Sequence, residues 1–413
     1  MTMELPGQGR RWEELREEME AMRSRDLDWR HGRHGAYVWY ADDGLEHVLR
    51  EAFGMFMVEN GLGLWAFPSI GRMEREVLAM VQGLLSGDDQ TASVFTSGGT
   101  ESIFVAMYAA REWARAARPG VTAPEIVAAQ SAHPALSKAA HLLGMRVKRV
   151  PVGPDYRADA VAMESAVGPD TVALYASAPS YSLGLIDPVE AVGAVAARHG
   201  LWLHVDACVG GILAPFVRGL GRPVPAFDFA VPGVTSISAD LHKSGYAAKP
   251  ASTINFRTRE HREFARYSMD DWPSGTYSSL TFTGTRPGGA IAAAWAAMQY
   301  LGRDGYERIA AASMRARDAI ARGVAAIPGV RVFGEPELWA FAFGAEGVDM
   351  HQVAGLMGKR GWMCGPTTDP RGIHVMCTPV HEGIADEYLA AIAECMAEAR
   401  TAGAGDASAP RYN

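Results

Sequence analysis

The chain has 413 residues, of which 48% are hydrophobic, and its 39 basic and 47 acidic side chains give a formal net charge of −8. This length allows one large α/β domain and a smaller one, and the acidic balance offers no basic surface for nucleic acid. No run of roughly 18 apolar residues occurs, so we expect no membrane span, and the N-terminus resembles neither a signal nor a transit peptide.

The four cysteines predict a reducing compartment. Cys208, Cys364, Cys377 and Cys395 form no CxxC pair and no disulfide framework. We therefore expect reduced thiols in a cytoplasmic protein, and the sequence predicts no metal site.

Three segments are expected before the C-terminal tail. Residues 1–55 are predicted to hold a charged amphipathic helix at 11–25 and an aromatic patch. Residues 56–300 are predicted to form a large domain in which strands alternate with helices, which is typical of a mainly parallel sheet covered on both faces. The strands are expected at 126–129, 171–175, 201–205 and 236–238, and the helices at 101–117, 134–143 and 188–199.

A smaller C-terminal α/β domain is predicted for residues 301–400, after a long Ala-rich helix that begins near Gly289. Residues 401–413 are small and polar, which predicts a disordered tail. Within the small domain, strands are expected at 330–333 and 372–376 and helices near 349–360 and 385–400.

An acidic residue and a lysine indicate the chemistry. Asp206 ends the apolar strand at 201–205, and a His242-Lys243 pair follows the strand at 236–238. Pyridoxal phosphate enzymes need this combination, because the lysine forms a Schiff base and the carboxylate keeps the pyridine nitrogen protonated. In parallel sheets ligands bind at the carboxyl ends of the strands, where both groups would lie.

A phosphate cradle is predicted at Gly98-Gly99-Thr100, directly before a helix. The two glycines let backbone amides approach an anion, Thr100 adds a hydroxyl, and the helix N-terminus adds partial positive charge. Taken alone, these residues fit a simple N-capped turn equally well. The presence of Asp206 and Lys243 favours the phosphate site.

Two histidines fit the same site and also have ordinary alternatives. His133 follows the strand at 126–129, where its imidazole can stack on the pyridine ring, although a histidine after a strand is more often a capping or surface residue. His242 can donate to the cofactor phosphate or be a plain loop histidine.

The chain resembles the sphingosine-1-phosphate lyases, in the group II decarboxylase branch of fold-type I pyridoxal phosphate enzymes. The resemblance extends from about residue 53 to 310. It is carried by Thr96-Ser-Gly-Gly-Thr-Glu-Ser102, Ser131-Ala-His133, Ser177-Ala-Pro179, His204-Val-Asp-Ala-Cys-Val-Gly-Gly211, the segment from Pro232 to Lys249, and Gly284-Thr-Arg-Pro-Gly-Gly289. It implies the aspartate aminotransferase-like α/β fold, pyridoxal 5′-phosphate as cofactor, and a small amine or amino acid as substrate.

The resemblance also implies a role for each matching position. Lys243 would carry the cofactor, Asp206 would contact the pyridine nitrogen and His133 would stack over the ring. Lys249 would line the active site, and Tyr181 would serve as an acid or base, or equally as a packing aromatic. The other cofactor-binding positions would be Gly98, Gly99, Thr100, His204, Ser238 and His242, with Gly284 and Thr285 supplied by a second subunit of an obligate homodimer.

One loop departs from the family pattern. These lyases carry Asn-x-Leu-His where this chain has Gly63 in place of the histidine, and Trp39 replaces a tyrosine expected near Val38. Both changes remove donors from the place where a substrate phosphate binds, and a buried phosphate needs charge-assisted partners. Trp39, Tyr40, Gly63 and Trp65 are therefore predicted to form a pocket for a substrate without a phosphate.

The alternative is that this loop is misaligned by a residue or two. The phosphate donors would then come from Tyr37, Tyr40 or His34.

The predicted function is that of a carbon–carbon lyase dependent on pyridoxal phosphate. It would perform retro-aldol cleavage, or the reverse reaction, on a β-hydroxy amine or β-hydroxy amino acid. An L-amino-acid α-decarboxylase is the alternative, because it uses the same scaffold and electron sink without a base for a substrate hydroxyl. A cofactor-binding regulatory protein without activity is disfavoured, since Lys243, Asp206, His133 and the glycine cradle are all present.

Overall fold

A seven-stranded sheet forms the centre of the computed structural model, which describes residues 4–402. Its strands are β1 (Ala92–Thr96), β2 (Glu125–Ala129), β3 (Arg146–Val150), β4 (Thr171–Ser177), β5 (Trp202–Asp206), β6 (Ser236–Ala239) and β7 (Ser252–Phe256). Their spatial order is β1-β7-β6-β5-β4-β2-β3. Only β7 runs antiparallel to its neighbours within this sheet, so the other six strands end at the same edge.

Helices lie around this sheet and before it. They are α1 (Trp12–Arg23), α2 (Asp43–Met55), α3 (Pro68–Leu84), α4 (Gly99–Ala117), α5 (Pro134–Leu143), α6 (Ala160–Ala166), α7 (Val189–His199), α8 (Ala214–Gly219) and α9 (Arg259–Glu263). A two-stranded hairpin of β8 (Tyr267–Met269) and β9 (Tyr277–Ser279) follows α9. Short 3-10 turns occupy Trp29–His31 and Pro379–Glu382.

A long helix connects the two sheets of the molecule. This helix, α10 (Gly288–Ala325), is interrupted at Gly302, where φ is 57°. The predicted domain boundary at residue 300 falls within α10, and the division into domains stays a prediction. Residues 403–413 of the expected tail lie outside the described part of the chain, whereas residues 401–402 belong to the final helix.

The second sheet is antiparallel and has four strands. It contains β10 (Val330–Val332), β11 (Ala340–Ala345), β12 (Gly365–Thr368) and β13 (Arg371–Met376), in the order β10-β11-β13-β12, with α11 (Met350–Lys359) and α12 (Ala385–Ala402). The N-terminal segment reaches this sheet, because the Gly35 N–H donates to the Met363 carbonyl and the Met376 N–H donates to the Gly35 carbonyl.

The predicted strands and helices are confirmed to within one or two residues, apart from the full length of α10. Strand β4 is buried along its whole length, as expected for a central strand with helices on both sides. Strands β1, β3 and β7 of this sheet were not predicted, nor were β8, β9, β11 and β12. Strand β3 reads Arg-Val-Lys-Arg-Val at the sheet edge, so its charged residues hid the strand pattern.

Along residues 4–402, no helix combines the length and the apolar character that crossing a bilayer requires.

The imidazole of His34 is buried against His381, with ring centroids 4.7 Å apart. Burial first, and the neighbouring His381 second, lower the pKa of His34 from 6.5 to about 3. The unfolded chain therefore binds this proton before the folded protein does. The stability that neutral His34 contributes is fully present above its pKa in the unfolded chain. That contribution is lost as the pH falls from this value toward the pKa of His34 in the folded protein.

We expect the free energy of unfolding to fall between pH 6.5 and pH 4.5, with His34 contributing roughly 2 to 3 kcal/mol of the loss. Replacing His34→Gln should remove that part of the pH dependence in denaturant unfolding followed by circular dichroism. His47→Gln, at an exposed histidine on α2, is the matched control and should leave the slope unchanged. Equal slopes for both variants would contradict the assignment.

Candidate active site

Loops from five strands meet at one edge of the seven-stranded sheet. The glycine cradle follows β1, His133 follows β2, Tyr181 follows β4, and Lys243 follows β6. Asp206 itself ends β5. The charges of Asp206 and Lys243 both act on the His133 imidazole, and that of Lys243 acts on Asp206, so these groups form one cluster.

Asp206 is a buried carboxylate surrounded by donors. The Tyr175 hydroxyl donates to Oδ2 at 2.6 Å, and the Cys208 backbone N–H donates to Oδ1 at 3.1 Å. Burial alone would raise the pKa of Asp206, but the His133 and Lys243 charges and these hydrogen bonds outweigh burial and lower it. A carboxylate that stays ionised in such a place suits a cationic ring nitrogen.

Lys243 pairs with an aspartate that the sequence did not single out. Its Nζ lies 2.9 Å from Oδ2 of Asp240, a fully buried carboxylate whose Oδ1 accepts the Ser252 hydroxyl at 2.5 Å. Burial would lower the pKa of Lys243, yet Asp240, Cys208 and Asp206 together raise it. The Lys243 side chain as a whole remains 29% exposed.

The cradle at the start of α4 has no room for a side chain. A Cβ at Gly99 would lie 2.6 Å from Cys208 Sγ and 2.9 Å from Asp240 Oδ2, and one at Gly98 would lie 3.2 Å from His242 Cε1. Glycine therefore keeps the helix N-terminus, with its free N–H groups, open to an anion. Thr100 is exposed on the first turn.

His242 faces this cradle with one nitrogen already engaged. Its Nδ1 accepts the Ala251 backbone N–H at 3.0 Å, so the neutral ring carries its hydrogen on Nε2. Burial, more than any neighbouring charge, lowers the pKa of His242. A neutral Nε2–H is a suitable donor to a phosphate oxygen.

His133 begins α5, and its loop is held from the neighbouring strand. Its Nδ1 accepts the Ala135 N–H at 3.1 Å, and burial lowers its pKa. The guanidinium of Arg149 on β3 donates to the carbonyls of Ala129, Gln130 and Ala132 at 3.0 to 3.2 Å. The capping alternative for His133 is thus correct and is compatible with a role over the cofactor ring.

Tyr181 lies in a loop closed by a buried carboxylate. Asp187 accepts the Ser177 N–H at 2.7 Å, which joins the two ends of the loop, and the Ala158 N–H at 2.8 Å, which attaches the loop to the segment before α6. The Tyr181 ring lies 6.1 Å from the His133 ring and 4.9 Å from the His374 ring of β13. All three rings border a cavity of about 880 Å³ that extends to the β12–β13 hairpin.

Trp39, Tyr40 and Lys249 line a second cavity of about 270 Å³. The Trp39 ring packs edge-on against Tyr246, at 5.8 Å between centroids. The Tyr40 hydroxyl donates to Asp43 at 2.7 Å, and burial, followed by this bond, raises its pKa to about 12. Shielding from water and the charge of Lys243 lower the pKa of Lys249.

Four predicted site residues, Gly63, Trp65, Gly284 and Thr285, lie outside both cavities. Gly63 and Trp65 line neither cavity, and Trp65 is 91% exposed. Gly284 and Thr285 are exposed close to the same surface, because the Gly61 N–H donates to the Arg286 carbonyl at 2.7 Å. Within one chain the structure therefore does not bring Gly63 and Trp65 to the wall formed by Trp39.

Position 63 is spacious. A Cβ built on Gly63 would have only Trp65 Nε1 near it, at 3.9 Å. Packing within the chain thus does not require glycine there.

His204 and Ser238 lie beneath Asp206 and are fully buried. Ser238 Oγ is 3.3 Å from both His204 Nε2 and Asp206 Oδ1, so His204 reaches the carboxylate only through the serine.

Several supporting residues were not found from the sequence. Asp240, Tyr175, Arg149, Asp187 and His374 act through contacts between distant segments, and no local pattern marks such contacts. Asp240 carried the clearest signal, since it stands three residues before Lys243 in a buried segment.

These residues fit pyridoxal phosphate. An ionised buried carboxylate suits the pyridine nitrogen, a cradle closed to side chains suits the phosphate, and Lys243 has a partly exposed side chain that ends in a primary amine. Within residues 4–402, no cluster of three or more His, Cys, Asp or Glu side chains forms a metal site.

Replacing Gly99→Ala should weaken pyridoxal phosphate binding at least about tenfold, because the new methyl group would displace Cys208 and Asp240. Cofactor affinity can be measured by fluorescence titration of the apoprotein. Gly120→Ala is the matched control, since a Cβ there meets nothing within 4 Å. Unchanged affinity in the Gly99 variant would refute the cradle.

Comparison with known proteins agrees with this geometry. The family model described as the pyridoxal-dependent decarboxylase conserved domain matches residues 4–345. Sphingosine-1-phosphate lyase of Oryza sativa subsp. japonica is 39% identical over 90% of this chain and 70% of that protein. Sphingosine-1-phosphate lyase 1 of Mus musculus is 36% identical over 97% of this chain and 72% of that protein.

Solved structures agree as well. The Burkholderia pseudomallei sphingosine-1-phosphate lyase superposes with a TM-score of 0.93 at 39% identity, covering 97% of this chain and 94% of the other. The Lactobacillus brevis glutamate decarboxylase, at 16% identity and a TM-score of 0.84, covers 98% of this chain and 96% of its own and shares the fold. The chain therefore belongs to the sphingosine-1-phosphate lyase family, within the pyridoxal-dependent decarboxylases, and is a lyase whose cofactor is pyridoxal 5′-phosphate.

Proposed function

We propose that this enzyme cleaves the carbon–carbon bond between the amine-bearing and hydroxyl-bearing carbons of a β-hydroxy amine. One observation carries the proposal: the phenol of Tyr181 borders the large cavity beside His133, and the charges of Asp206 and Lys243 act on the His133 imidazole. The named substrate of the relatives supports the same class, because sphingosine 1-phosphate has an amine and a hydroxyl on adjacent carbons.

The bound cofactor supplies an electron sink for the pair released when a bond to the amine-bearing carbon breaks. In this proposal Lys243 anchors the cofactor and Asp206 keeps its negative charge beside the ring nitrogen. Tyr181 acts as its phenolate and takes the proton of the substrate hydroxyl as the aldehyde forms. The ammonium of Lys249, whose pKa is lowered, or of Lys243 gives a proton to the amine-bearing carbon, and the Tyr181 phenol then returns its proton to that amine.

A decarboxylase is the less supported alternative. Loss of carbon dioxide requires no base at a substrate hydroxyl, so a phenol at the position of Tyr181 would have no such task. The reverse, bond-forming reaction would use the same groups in the opposite order.

We propose further that the substrate lacks a phosphate ester. Among the described residues that line the large cavity there is no lysine or arginine, and the second cavity is lined by Lys249, whose pKa is lowered by burial and by the charge of Lys243. A phosphate dianion taken into such a site without charge-assisted partners would lose several kcal/mol of hydration. Of the alternative donors, Tyr37 lines both cavities, whereas the Tyr40 hydroxyl is engaged by Asp43 and His34 lines neither cavity.

A homodimer with shared active sites is also proposed. Its support is a surface that carries the exposed Leu62, Trp65 and Phe282 close to Gly284 and Thr285. Apolar side chains clustered on a surface are typical of subunit interfaces. Reduced thiols at all four cysteines are consistent with the cytoplasmic location that we propose.

Holoenzyme given β-hydroxy amines should release aldehyde, detected by a coupled aldehyde dehydrogenase, and L-amino acids should yield no carbon dioxide. Tyr181→Phe should lower kcat for aldehyde release about a hundredfold or more while leaving the dissociation constant of pyridoxal phosphate unchanged. Tyr108→Phe on α4 is the control for loss of a phenol. Carbon dioxide release without aldehyde would replace the lyase proposal with decarboxylation.

Sphingosine and sphingosine 1-phosphate form a matched pair that differs only in the phosphate ester. We expect kcat/KM to be at least about tenfold higher for sphingosine, because the large cavity provides no lysine or arginine for the phosphate. Lys243→Ala sets the background rate for both substrates. A preference for the phosphorylated substrate would refute the rebuilt pocket and leave the lyase reaction standing.

A further inference from the structure

Five buried side chains form a continuous line of hydrogen bonds beneath the catalytic edge. Trp202, His204 and Asp206 alternate along β5 and share one face of the sheet. Ser236 and Ser238 of β6 lie opposite His204 and Asp206 in the parallel register. Trp202 is 1% exposed, Asp206 is 8% exposed, and the other three are completely buried. These five residues are called the relay below.

Each hydrogen in the relay has one consistent position. The Trp202 indole can only donate, and it donates to Ser236 Oγ at 2.8 Å. Ser236 Oγ lies 2.9 Å from His204 Nδ1, and His204 Nε2 lies 3.3 Å from Ser238 Oγ. Because an ionised carboxylate only accepts, the Ser238 hydroxyl donates to Asp206 Oδ1 at 3.3 Å. His204 must then carry its hydrogen on Nε2 and accept from Ser236 at Nδ1.

Other groups near Asp206 also donate hydrogen bonds toward its carboxylate. The Tyr175 hydroxyl on β4 donates to Oδ2, and its ring packs 5.3 Å from the His204 ring. The Cys208 thiol donates to Ser238 Oγ at 3.2 Å, and burial raises the pKa of this thiol, so it keeps its proton. Every donor of the relay therefore points toward the carboxylate of Asp206.

The neutral state of His204 is essential to this arrangement. Burial lowers the pKa of His204 to about 4, although the charge of Asp206 opposes the shift. A neutral imidazole donates one hydrogen bond without neutralising the carboxylate, whereas an imidazolium would compete with the cofactor for that charge. Tyr175 and Asp206 are the titratable groups that face His204, from β4 and from its own strand.

We propose that His204 is a positioning residue that, through Ser238, keeps the Asp206 carboxylate oriented and ionised toward the ring nitrogen of bound pyridoxal phosphate. The inference deepens the proposed function and rests on it. It also changes the expectation that His204 is a cofactor contact, because the nearest polar partners of its two nitrogens are Ser236 and Ser238.

The relay is tested by removing and restoring its central donor. His204→Phe should raise the dissociation constant of pyridoxal phosphate about ten- to a hundredfold, as expected when a hydrogen bond to a buried charge is lost. It should also shift the pH titration of the visible absorbance of bound cofactor. His204→Gln keeps an amide donor and should recover part of both effects, while Ser238→Ala should reproduce the loss.

A control separates this role from simple loss of core packing. Val205→Ala lies on the same strand with its side chain on the opposite face and is also fully buried. It should lower thermal stability without changing cofactor affinity or the absorbance titration. If His204→Phe behaves like Val205→Ala, the relay is refuted.

A second readout needs no variant. Nitrogen-15 NMR of histidine-labelled protein should show His204 neutral at pH 7 with its hydrogen on Nε2, and a hydrogen on Nδ1 would overturn the relay. If the relay hypothesis is wrong, the wild-type enzyme should still release aldehyde. Failure of the proposed function would instead appear as wild-type protein that binds the cofactor and releases no aldehyde.

Discussion

The site depends on one buried carboxylate, that of Asp206, which has to stay ionised. Asp206 ends the central strand β5, where water is excluded and a carboxylate would normally take up a proton. The Tyr175 hydroxyl, the Cys208 N–H and the Ser238 hydroxyl stabilise its charged form instead. The strand order, the burial of β5 and the polar face of β6 all favour this ionised state, and in the proposed role of Asp206 the ring nitrogen of the cofactor is its positive partner.

Lys243 is the positive partner of a second buried carboxylate, Asp240, which stabilises its ammonium. Asp240 also limits the space at Gly99, so the residue that pairs with the lysine is also a wall of the proposed phosphate cradle. The charge partner of Lys243 and the proposed anion site are therefore built from neighbouring loops.

Much of the fold and of the site could be predicted from the sequence, because these parts depend on local patterns. Apolar runs predicted β2, β4, β5 and β6, and their alternation with helices predicted a parallel sheet with the site at the carboxyl ends of its strands. The rest depends on contacts between distant segments. Arg149 reaches the His133 loop from an edge strand whose charged residues concealed it, and His374 approaches Tyr181 from the second sheet. The assumed proximity of Trp65 to Trp39 failed within the chain because the loop at 61–65 follows the segment near Arg286.

The open space around Gly63 has a consequence for how such enzymes diversify. Among residues 4–402, no backbone or side chain crowds that position, so a larger residue can be gained or lost there without disturbing the core. Mutation can therefore change the loop around residue 63 at little cost in stability. The arrangement around Asp206 is inherited unchanged while this loop diversifies.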